Sequence, residues 1–266
     1  MRVGIVQLDI VWEDRDANFR KVEDYLAEAE RKKVDLVVLP EMFAIGFTMN
    51  AAPFAEGSDG PTTRFLSQSA RRWGVHILGA CVFQSDTLPR NAALLYGPTG
   101  ELLARYDKIH PFTMSKEHEN YAAGDRLVVV PALGFNILLS VCYDLRFPEL
   151  YRAALDLGAD LITVIANWPI EREHHWRFLS QSRAVDNLSY VVACNRTGEG
   201  GGLTYPGASL AVDPTGEVLV DGGREEGLYT ADLTPRTVER ARRAFPFLRD
   251  RKPELYRQWQ LGEGPG

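Results

Sequence analysis

Two hydrophobic patterns alternate along this chain. Short continuous apolar runs are typical of buried strands, and they occur at residues 2–8, 34–39, 75–83, 92–96, 102–106, 138–141, 161–166, 190–194, 209–212, 217–220 and 228–231. Apolar positions three and four residues apart predict amphipathic helices between them, at residues 19–29, 62–73, 148–157 and 173–188. The alternation predicts an α/β protein.

This many strands suggests two sheets packed face to face, each covered by helices on its outer side. A chain of 266 residues is compatible with one domain, and we expect residues 1–266 to form one. From about residue 235 to residue 266 the sequence predicts a short basic helix and then a tail punctuated by proline and glycine. Residues 110–126 lose the periodicity, which is typical of a functional loop.

Composition narrows the class of partner. The chain is 45% hydrophobic and 25% charged, and its net charge of -6 argues against nucleic acid, which attracts basic surfaces. A small molecule is the expected ligand. No run approaches the roughly 18 apolar residues of a membrane span, the first residues lack a signal-peptide pattern, and three cysteines suit a reducing compartment better than a disulfide framework. We therefore expect a cytoplasmic protein that does not bind a membrane.

Cys142 stands where an apolar run ends and a polar, helix-forming segment begins. The first turn of a helix carries unpaired N–H groups that favour a thiolate or an oxyanion. Cys81 and Cys194 lie inside apolar runs, where cysteine usually acts as a small buried hydrophobe. Cys142 is therefore the candidate nucleophile, and the other two are expected in the core.

Two charged residues occupy positions that match that of Cys142. Glu41 follows the run that ends at Leu39 and Pro40, and Lys108 follows the strand predicted at residues 102–106. If the three strands are neighbours in a parallel sheet, their carboxyl ends converge on one pocket. That pocket would hold a carboxylate base, an ammonium group and a thiol.

The same three segments resemble the catalytic blocks of the nitrilase, or carbon–nitrogen hydrolase, superfamily. The resemblance is carried by Leu39-Pro40-Glu41, by Asp107-Lys108 with His110 beyond it, and by Cys142-Tyr143-Asp144-Leu145-Arg146-Phe147-Pro148-Glu149. It extends from residue 2 to about residue 232 and includes residues 166–169 and 183–187. The resemblance implies a four-layer α-β-β-α sandwich with two mixed sheets.

Members of that superfamily usually form homodimers through helices beside the nucleophile. The resemblance therefore implies a homodimer whose interface uses the helices predicted at residues 148–157 and 173–188. The tail from residue 235 would reach the partner subunit. We expect no cofactor and no metal.

Residue type suggests a role for each reactive group. Glu41 would take the proton of Cys142, and the thiolate would attack an amide carbonyl to leave a thioester after ammonia departs. Lys108 and the backbone N–H of Tyr143 would hold the oxyanion. Lys108 and the helix terminus should lower the pKa of the thiol, whereas Glu41 should raise it, and the sequence does not decide between them.

The polar loop offers an auxiliary carboxylate. Glu117 stands seven residues before Gly124, a placement that resembles the second glutamate of the superfamily, which would hold Lys108 or orient the substrate. Glu119 is a close rival for that position. Asp144 is expected to cap the helix that follows Cys142, since acidic residues favour helix starts.

Arg146 is a candidate ligand for a substrate carboxylate, because it lies about one helical turn after Cys142 and its guanidinium suits bidentate binding. For Arg146, an internal ion pair with Glu149 is an equal alternative, and Arg172 is a second candidate ligand for the carboxylate.

Residues 167–169 and Arg172 resemble the ω-amidase branch of the superfamily, which acts on α-ketoglutaramate or α-ketosuccinamate. Hydrolysis of N-carbamoyl amino acids or aliphatic amides is the alternative. Three aromatic residues are expected to line a small pocket: Phe43, Phe112 and Trp168.

Three hypotheses from other functional classes are alternatives to an amidase that uses Glu41, Lys108 and Cys142. A Cys–His hydrolase would use His110 as its base, but no histidine occupies a matching strand end. A metal site of His174, His175 and a cysteine lacks the ligand spacing typical of zinc. A non-catalytic relative would bind a metabolite through the same pocket.

Overall fold

The computed structural model describes residues 1–260, so the last six positions of the predicted tail, residues 261–266, lie outside it. The strands are Arg2–Gln7 (β1), Leu36–Val38 (β2), His76–Phe83 (β3), Arg90–Tyr96 (β4), Leu102–Asp107 (β5), Val129–Ala132 (β6), Phe135–Val141 (β7), Leu161–Ala166 (β8), Tyr190–Asn195 (β9), Thr197–Gly200 (β10), Leu203–Pro206 (β11), Leu210–Val212 (β12), Val218–Asp221 (β13) and Gly227–Asp232 (β14). The helices are Arg15–Arg31 (α1), Pro61–Trp73 (α2), Glu117–Asn120 (α3), Pro148–Asp156 (α4), Glu173–Asn187 (α5), Pro235–Ala244 (α6) and Pro253–Gln260 (α7).

Within these residues the strands form two six-stranded sheets and a separate pair, β10 with β11. The first sheet has the order β14-β1-β2-β3-β4-β5, in which β1, β2 and β3 are parallel and the other pairings are antiparallel. The second has the order β13-β12-β9-β8-β7-β6, with β7, β8 and β9 parallel. Both sheets are therefore mixed.

Three layers of buried apolar side chains hold the elements together. The middle layer packs the two sheets against each other, with Val38 from the first and Val141 from the second. One outer layer joins the first sheet to α1 and α2 through Leu26 and Leu66. The other joins the second sheet to α4 and α5 through residues such as Trp176. The predicted four-layer α-β-β-α sandwich is confirmed.

Local sequence explains why the helices form where the pattern predicted them. In α1, Asp14 caps the first turn by accepting from the Ala17 N–H, and the buried positions recur at helical spacing. Helix α2 begins with Pro61 and ends at Trp73, and it is capped by Gly74, whose positive φ of 62° suits a residue without a side chain. None of the helices within residues 1–260 has both the length and the apolar character that crossing a bilayer requires.

Some elements had no clear signal in the hydrophobic pattern. The β10–β11 hairpin is rich in glycine and lacks apolar alternation, and β6 has no fully buried residue. Helix α3 is a single turn inside the polar loop, and α7 lies in the predicted tail. These elements depend on tertiary contacts more than on their own pattern.

The strands that lead to the three reactive residues are not neighbours. The sequence-based expectation that they lie side by side in one parallel sheet is therefore wrong. Strands β2 and β5 are separated by β3 and β4, and β7 belongs to the other sheet. Two successive antiparallel pairings turn β5 back into the direction of β2, so both end at the same edge. The facing sheet brings the end of β7 to that edge, so the convergence occurs across the sandwich.

Candidate active site

Glu41 is fully buried just after β2, and donors hold both oxygens of its carboxylate. Oε1 accepts from Asn91 Nδ2 at 2.7 Å and from Lys108 Nζ at 3.1 Å. Oε2 accepts from the backbone N–H of Asn167 at 2.8 Å, and Asn167 Nδ2 also donates to the Glu41 carbonyl oxygen at 2.6 Å. The carboxylate therefore has a fixed orientation, as a base on a rigid scaffold requires.

Lys108 lies between two carboxylates and has only 1% of its side chain exposed. Its ammonium group donates to Glu41 at 3.1 Å and to Glu117 Oε2 at 2.8 Å. Although burial opposes the charge, the carboxylates of Glu117 and Glu41 raise the pKa of Lys108 well above its ordinary value. The lysine therefore stays a cation.

Cys142 begins a 3-10 turn, Cys142–Arg146, directly after β7. Its φ of 47° lies in the left-handed region, which a residue with a side chain rarely adopts. The partly buried thiol lies 4.0 Å from the carbonyl oxygen of Asn167, the residue whose N–H holds Glu41. The strained turn thus places the sulfur beside the Glu41 and Lys108 pair.

The protonation of the thiol, which the sequence left open, has a direction in the structure. Burial and the Glu41 carboxylate raise the pKa of Cys142 well above its ordinary value, and the opposing effect of Lys108 is smaller. The resting thiol therefore keeps its proton at neutral pH. A base is needed to generate the thiolate.

Of the two rival glutamates, Glu117 is the one beside the lysine. It is fully buried, its Oε2 accepts from the Phe112 N–H, and its Oε1 accepts from Asn91 Nδ2 at 3.2 Å. Glu119 has 54% of its side chain exposed and faces Lys116 at 3.9 Å. The single turn of α3 directs the two glutamates to opposite environments.

Asp144 fixes the turn that carries the thiol. Its Oδ2 accepts from the N–H of Val141 at 2.9 Å and from the hydroxyl of Tyr106 at 2.7 Å. Its Oδ1 lies 2.8 Å from Nδ1 of His110, whose ring stacks on Phe147. The expected capping role is confirmed, and His110 is held against Asp144 rather than against the sulfur.

A pocket opens directly over Cys142. Tyr143 lines it and is the second residue of the 3-10 turn, where a backbone N–H has no partner within the turn. The predicted residues Phe112 and Trp168 also line the pocket, with Leu203 from the β10–β11 hairpin. Aromatic and aliphatic walls around a reactive group are typical of a small-molecule site.

Phe43 is not part of this pocket, so its predicted role is wrong. Its side chain is fully buried in the layer between the first sheet and the helices, with its ring centroid 6.1 Å from those of Phe19 and Phe65. Although Phe43 is only two residues from Glu41, its ring packs among the apolar residues of that layer and not in the pocket wall. Phe47, four residues further, takes a place in the pocket wall instead.

Arg146 and Arg172 both line the pocket. The guanidinium carbon of Arg146 lies 4.9 Å from the centre of the Trp168 ring, and that of Arg172 lies 5.4 Å from the Phe112 ring. Within residues 1–260 neither arginine forms an ion pair with a carboxylate, so the alternative pairing of Arg146 with Glu149 does not occur. Two cations without acidic partners make the pocket suitable for an anion.

Sequence reasoning missed Asn91 as part of the site, and it considered Asn167 only as part of a resembling segment. Asn91 donates to both buried glutamates, and Asn167 connects the thiol to Glu41. A signal was present, because an asparagine inside or just after an apolar strand needs a buried partner. The partner itself lies far away in the chain.

Replacing Lys108 with methionine should lower the free energy of unfolding by about 3–5 kcal/mol, because two buried carboxylates would lose their cation. Urea denaturation monitored by circular dichroism measures the change. Lys116→Met is the matched control, since 72% of that side chain is exposed and its loss should change stability by less than about 0.5 kcal/mol. A loss below about 1 kcal/mol for Lys108→Met would show that the carboxylates do not need the ammonium group.

Comparison with known sequences shows what this chain resembles. The carbon–nitrogen hydrolase family model matches residues 2–243. The chain is 35% identical to the ω-amidase YafV of Escherichia coli strain K12 over 261 residues, which is 97% of this chain and 99% of that protein. It is 32% identical to the 2-oxoglutaramate amidase of Bacillus subtilis strain 168 over 256 residues, covering 96% and 98%.

Solved structures show the same fold. A CN-hydrolase superfamily protein of Xanthomonas campestris, which carries an arsenic adduct in its active site, matches with a TM-score of 0.90 at 34% identity, over 95% of this chain and 97% of that one. An amidase of Nesterenkonia sp. AN1 matches with a TM-score of 0.84 at 27% identity, over 97% and 99%. In a mutant of that amidase, acrylamide has added to the active-site cysteine.

Proposed function

This chain belongs to the carbon–nitrogen hydrolase family and is an enzyme that acts on amides, and we propose that it is an ω-amidase. The substrate is a small amide that carries a carboxylate, such as α-ketoglutaramate (2-oxoglutaramate) or α-ketosuccinamate. The main support is the pair of pocket arginines beside the thiol, Arg146 and Arg172. Two relatives with this activity in their names, at 35% and 32% identity, support it independently.

In the proposed reaction Glu41 takes the proton of Cys142, and the sulfur attacks the amide carbonyl carbon. The raised pKa of the thiol makes this transfer necessary, since the resting sulfur is protonated. Glu41 then passes the proton to the departing nitrogen, so ammonia leaves and an acyl thioester remains on Cys142. Glu41 next activates a water molecule, which hydrolyses the thioester and restores the thiol.

The negative charge that develops on the carbonyl oxygen needs donors already in place. We assign Lys108 and the backbone N–H of Tyr143 to this task. Glu117, which is fully buried, orients Lys108 by accepting a hydrogen bond from its ammonium group at 2.8 Å. Three buried charges thus form one positioned unit, in which a single lysine serves two carboxylates.

The two arginines would bind the carboxylate at the far end of the substrate. Phe112 and Trp168 support them through their ring faces, where a guanidinium is attracted to the aromatic electrons. Because the thiol and both arginines line the same small pocket, a substrate with a short chain between its amide and its carboxylate would fit it. An uncharged aliphatic amide would leave both guanidiniums without an anionic partner.

Steady-state assays of ammonia release test the substrate class. We expect the highest kcat/KM with α-ketoglutaramate, and at least about 100-fold less with butyramide, because the charged contacts contribute roughly 3 kcal/mol. Glutamine and N-carbamoyl amino acids complete the panel, since they carry a carboxylate but differ at the reacting end. No activity on α-ketoglutaramate would overturn the ω-amidase proposal and leave the family assignment intact.

We also infer that residues 1–266 form one hydrolase domain and that the protein is a cytoplasmic homodimer. Exposed apolar side chains on α5 support an interface there, notably Phe178 with 73% exposure and Val185 with 44%. Within the described part of the tail, Arg251 pairs with Asp156 at the end of α4 of the same chain, at 2.6 Å. A partner that contacts α4 would therefore also meet residues of the tail.

A further inference from the structure

A histidine holds one of the two pocket arginines. Nη2 of Arg146 lies 3.2 Å from Nδ1 of His175, which belongs to α5. The guanidinium carbon also lies over the Trp168 ring, 4.9 Å from its centre. Two contacts, one to an imidazole nitrogen and one to an indole ring, therefore hold the arginine.

We propose that His175 is a positioning residue for substrate recognition, which accepts a hydrogen bond from Arg146 and so orients the guanidinium toward the substrate carboxylate. The inference rests on the proposed function, because it assumes a carboxylate-bearing substrate. It assigns a role to a residue that the sequence offered only as a weak metal ligand. Within residues 1–260 no cluster of three or more potential ligands surrounds it.

The chemistry of the two groups determines the direction of this hydrogen bond. A guanidinium only donates, so Nδ1 of His175 must be the acceptor and the ring proton must sit on Nε2. Burial and the positive surroundings, in which His174, Arg146 and Arg172 take part, lower the pKa of His175. The imidazole is therefore neutral, as an acceptor has to be.

Orientation matters because a long arginine side chain loses conformational freedom when it binds a ligand. A guanidinium already held by His175 and Trp168 has lost part of that freedom before the substrate arrives. One of its donor groups is used by His175, and the remaining N–H groups have no protein acceptor among the described residues. Those groups can form the two parallel hydrogen bonds that a carboxylate accepts.

Within residues 1–260 the guanidinium of the second arginine has no such hydrogen bond. It lies over the Phe112 ring, 5.4 Å from the ring centre. The hydrogen bonds of Arg172 are made by its backbone: its N–H donates to the Pro169 carbonyl at 3.2 Å, and its carbonyl accepts from the indole N–H of Trp168 at 2.8 Å. The two arginines therefore have different roles in binding the substrate carboxylate. Arg146 supplies the oriented contact, and Arg172 adds positive charge.

Replacing His175 with leucine should raise the KM for α-ketoglutaramate roughly 10-fold while kcat stays within about twofold, since the hydrogen bond that orients the Arg146 guanidinium is lost. The rate on uncharged butyramide should not change by more than about twofold, because that substrate makes no contact with Arg146. His175→Asn keeps an acceptor near the position of Nδ1, so its KM should stay within about threefold of the wild type. Calorimetric binding of 2-oxoglutarate should weaken in parallel with KM.

His174→Leu is the matched control, because it removes an adjacent imidazole whose ring centre lies 4.0 Å from that of His175, tilted by 52°, and which does not bond Arg146. It should leave KM unchanged. Equal losses on both substrates, or a His175→Asn variant as weak as His175→Leu, would reduce His175 to a structural residue and overturn the proposal. So would a wild type that binds no 2-oxoglutarate.

Failure of the proposed function has a different signature. In that event α-ketoglutaramate would release no ammonia, yet 2-oxoglutarate would still bind and His175→Leu would still weaken it roughly 10-fold. The binding experiment therefore tests the orientation of Arg146 independently of turnover.

Discussion

Cys142→Ala should abolish ammonia release, with a loss in kcat of about 10⁴- to 10⁶-fold, because the sulfur that forms the acyl thioester is removed. Alanine keeps the β-carbon, so the left-handed backbone at this position, with φ of 47°, carries the same strain in both proteins. The fold should therefore survive. Initial rates with α-ketoglutaramate measure the loss, and circular dichroism checks the fold.

The other two cysteines provide the control. Cys81 and Cys194 are buried, with 4% and 0% exposure, and burial raises the pKa of both thiols well above the ordinary value. Iodoacetamide should therefore label Cys142 alone, faster as the pH rises toward its own raised pKa. Labelling that favoured the buried pair, or a Cys142→Ala rate within about 100-fold of the wild type, would remove Cys142 from the reaction.

Glu41→Gln should lower kcat/KM by about 10²- to 10⁴-fold, the range expected when a general base is removed. The glutamine has the same shape but does not take the proton of a thiol whose pKa is raised. Its amide group would also meet donors from Asn91 and Asn167 that now bind the carboxylate. Initial rates should show the loss with both acidic and neutral amide substrates.

His110→Asn distinguishes this mechanism from a Cys–His hydrolase. Asparagine keeps a polar group close to Asp144, which Nδ1 of His110 now contacts at 2.8 Å. The variant should retain at least about a tenth of the wild-type rate, since His110 only supports the turn after Cys142. A loss as large as that of Glu41→Gln would instead make His110 the base.

Much of the fold follows from local pattern. Strand β8 is a continuous run of buried apolar residues, and the buried residues of α1 recur at helical spacing. Both patterns lie within one segment of the chain, so the alternation of strands and helices is visible in the sequence. The two-sheet prediction succeeded for the same reason. The sequence did not predict the β10–β11 hairpin, because this segment is rich in glycine and its apolar residues do not alternate with polar ones.

The site shows a different division. Strand ends and residue chemistry identified Glu41, Lys108 and Cys142 as reactive candidates, since a charged or nucleophilic side chain after a buried strand stands out locally. Their true arrangement depends on strand order, because β2 and β5 are not adjacent and β7 lies in the other sheet. The same dependence explains the wrong placement of Phe43.

The order of residues was enough to establish the reactive groups available, the alternation of strands and helices, and the resemblance that pointed to amide hydrolysis. Three contacts became visible only in the folded chain: Glu117 with Lys108, the two asparagines Asn91 and Asn167 with Glu41, and His175 with Arg146. A strand or helix depends on the chemistry of consecutive residues, whereas a site depends on distances between residues far apart in the chain. Glu117 and Glu119, two positions apart, show this: one is buried against the lysine and the other is exposed.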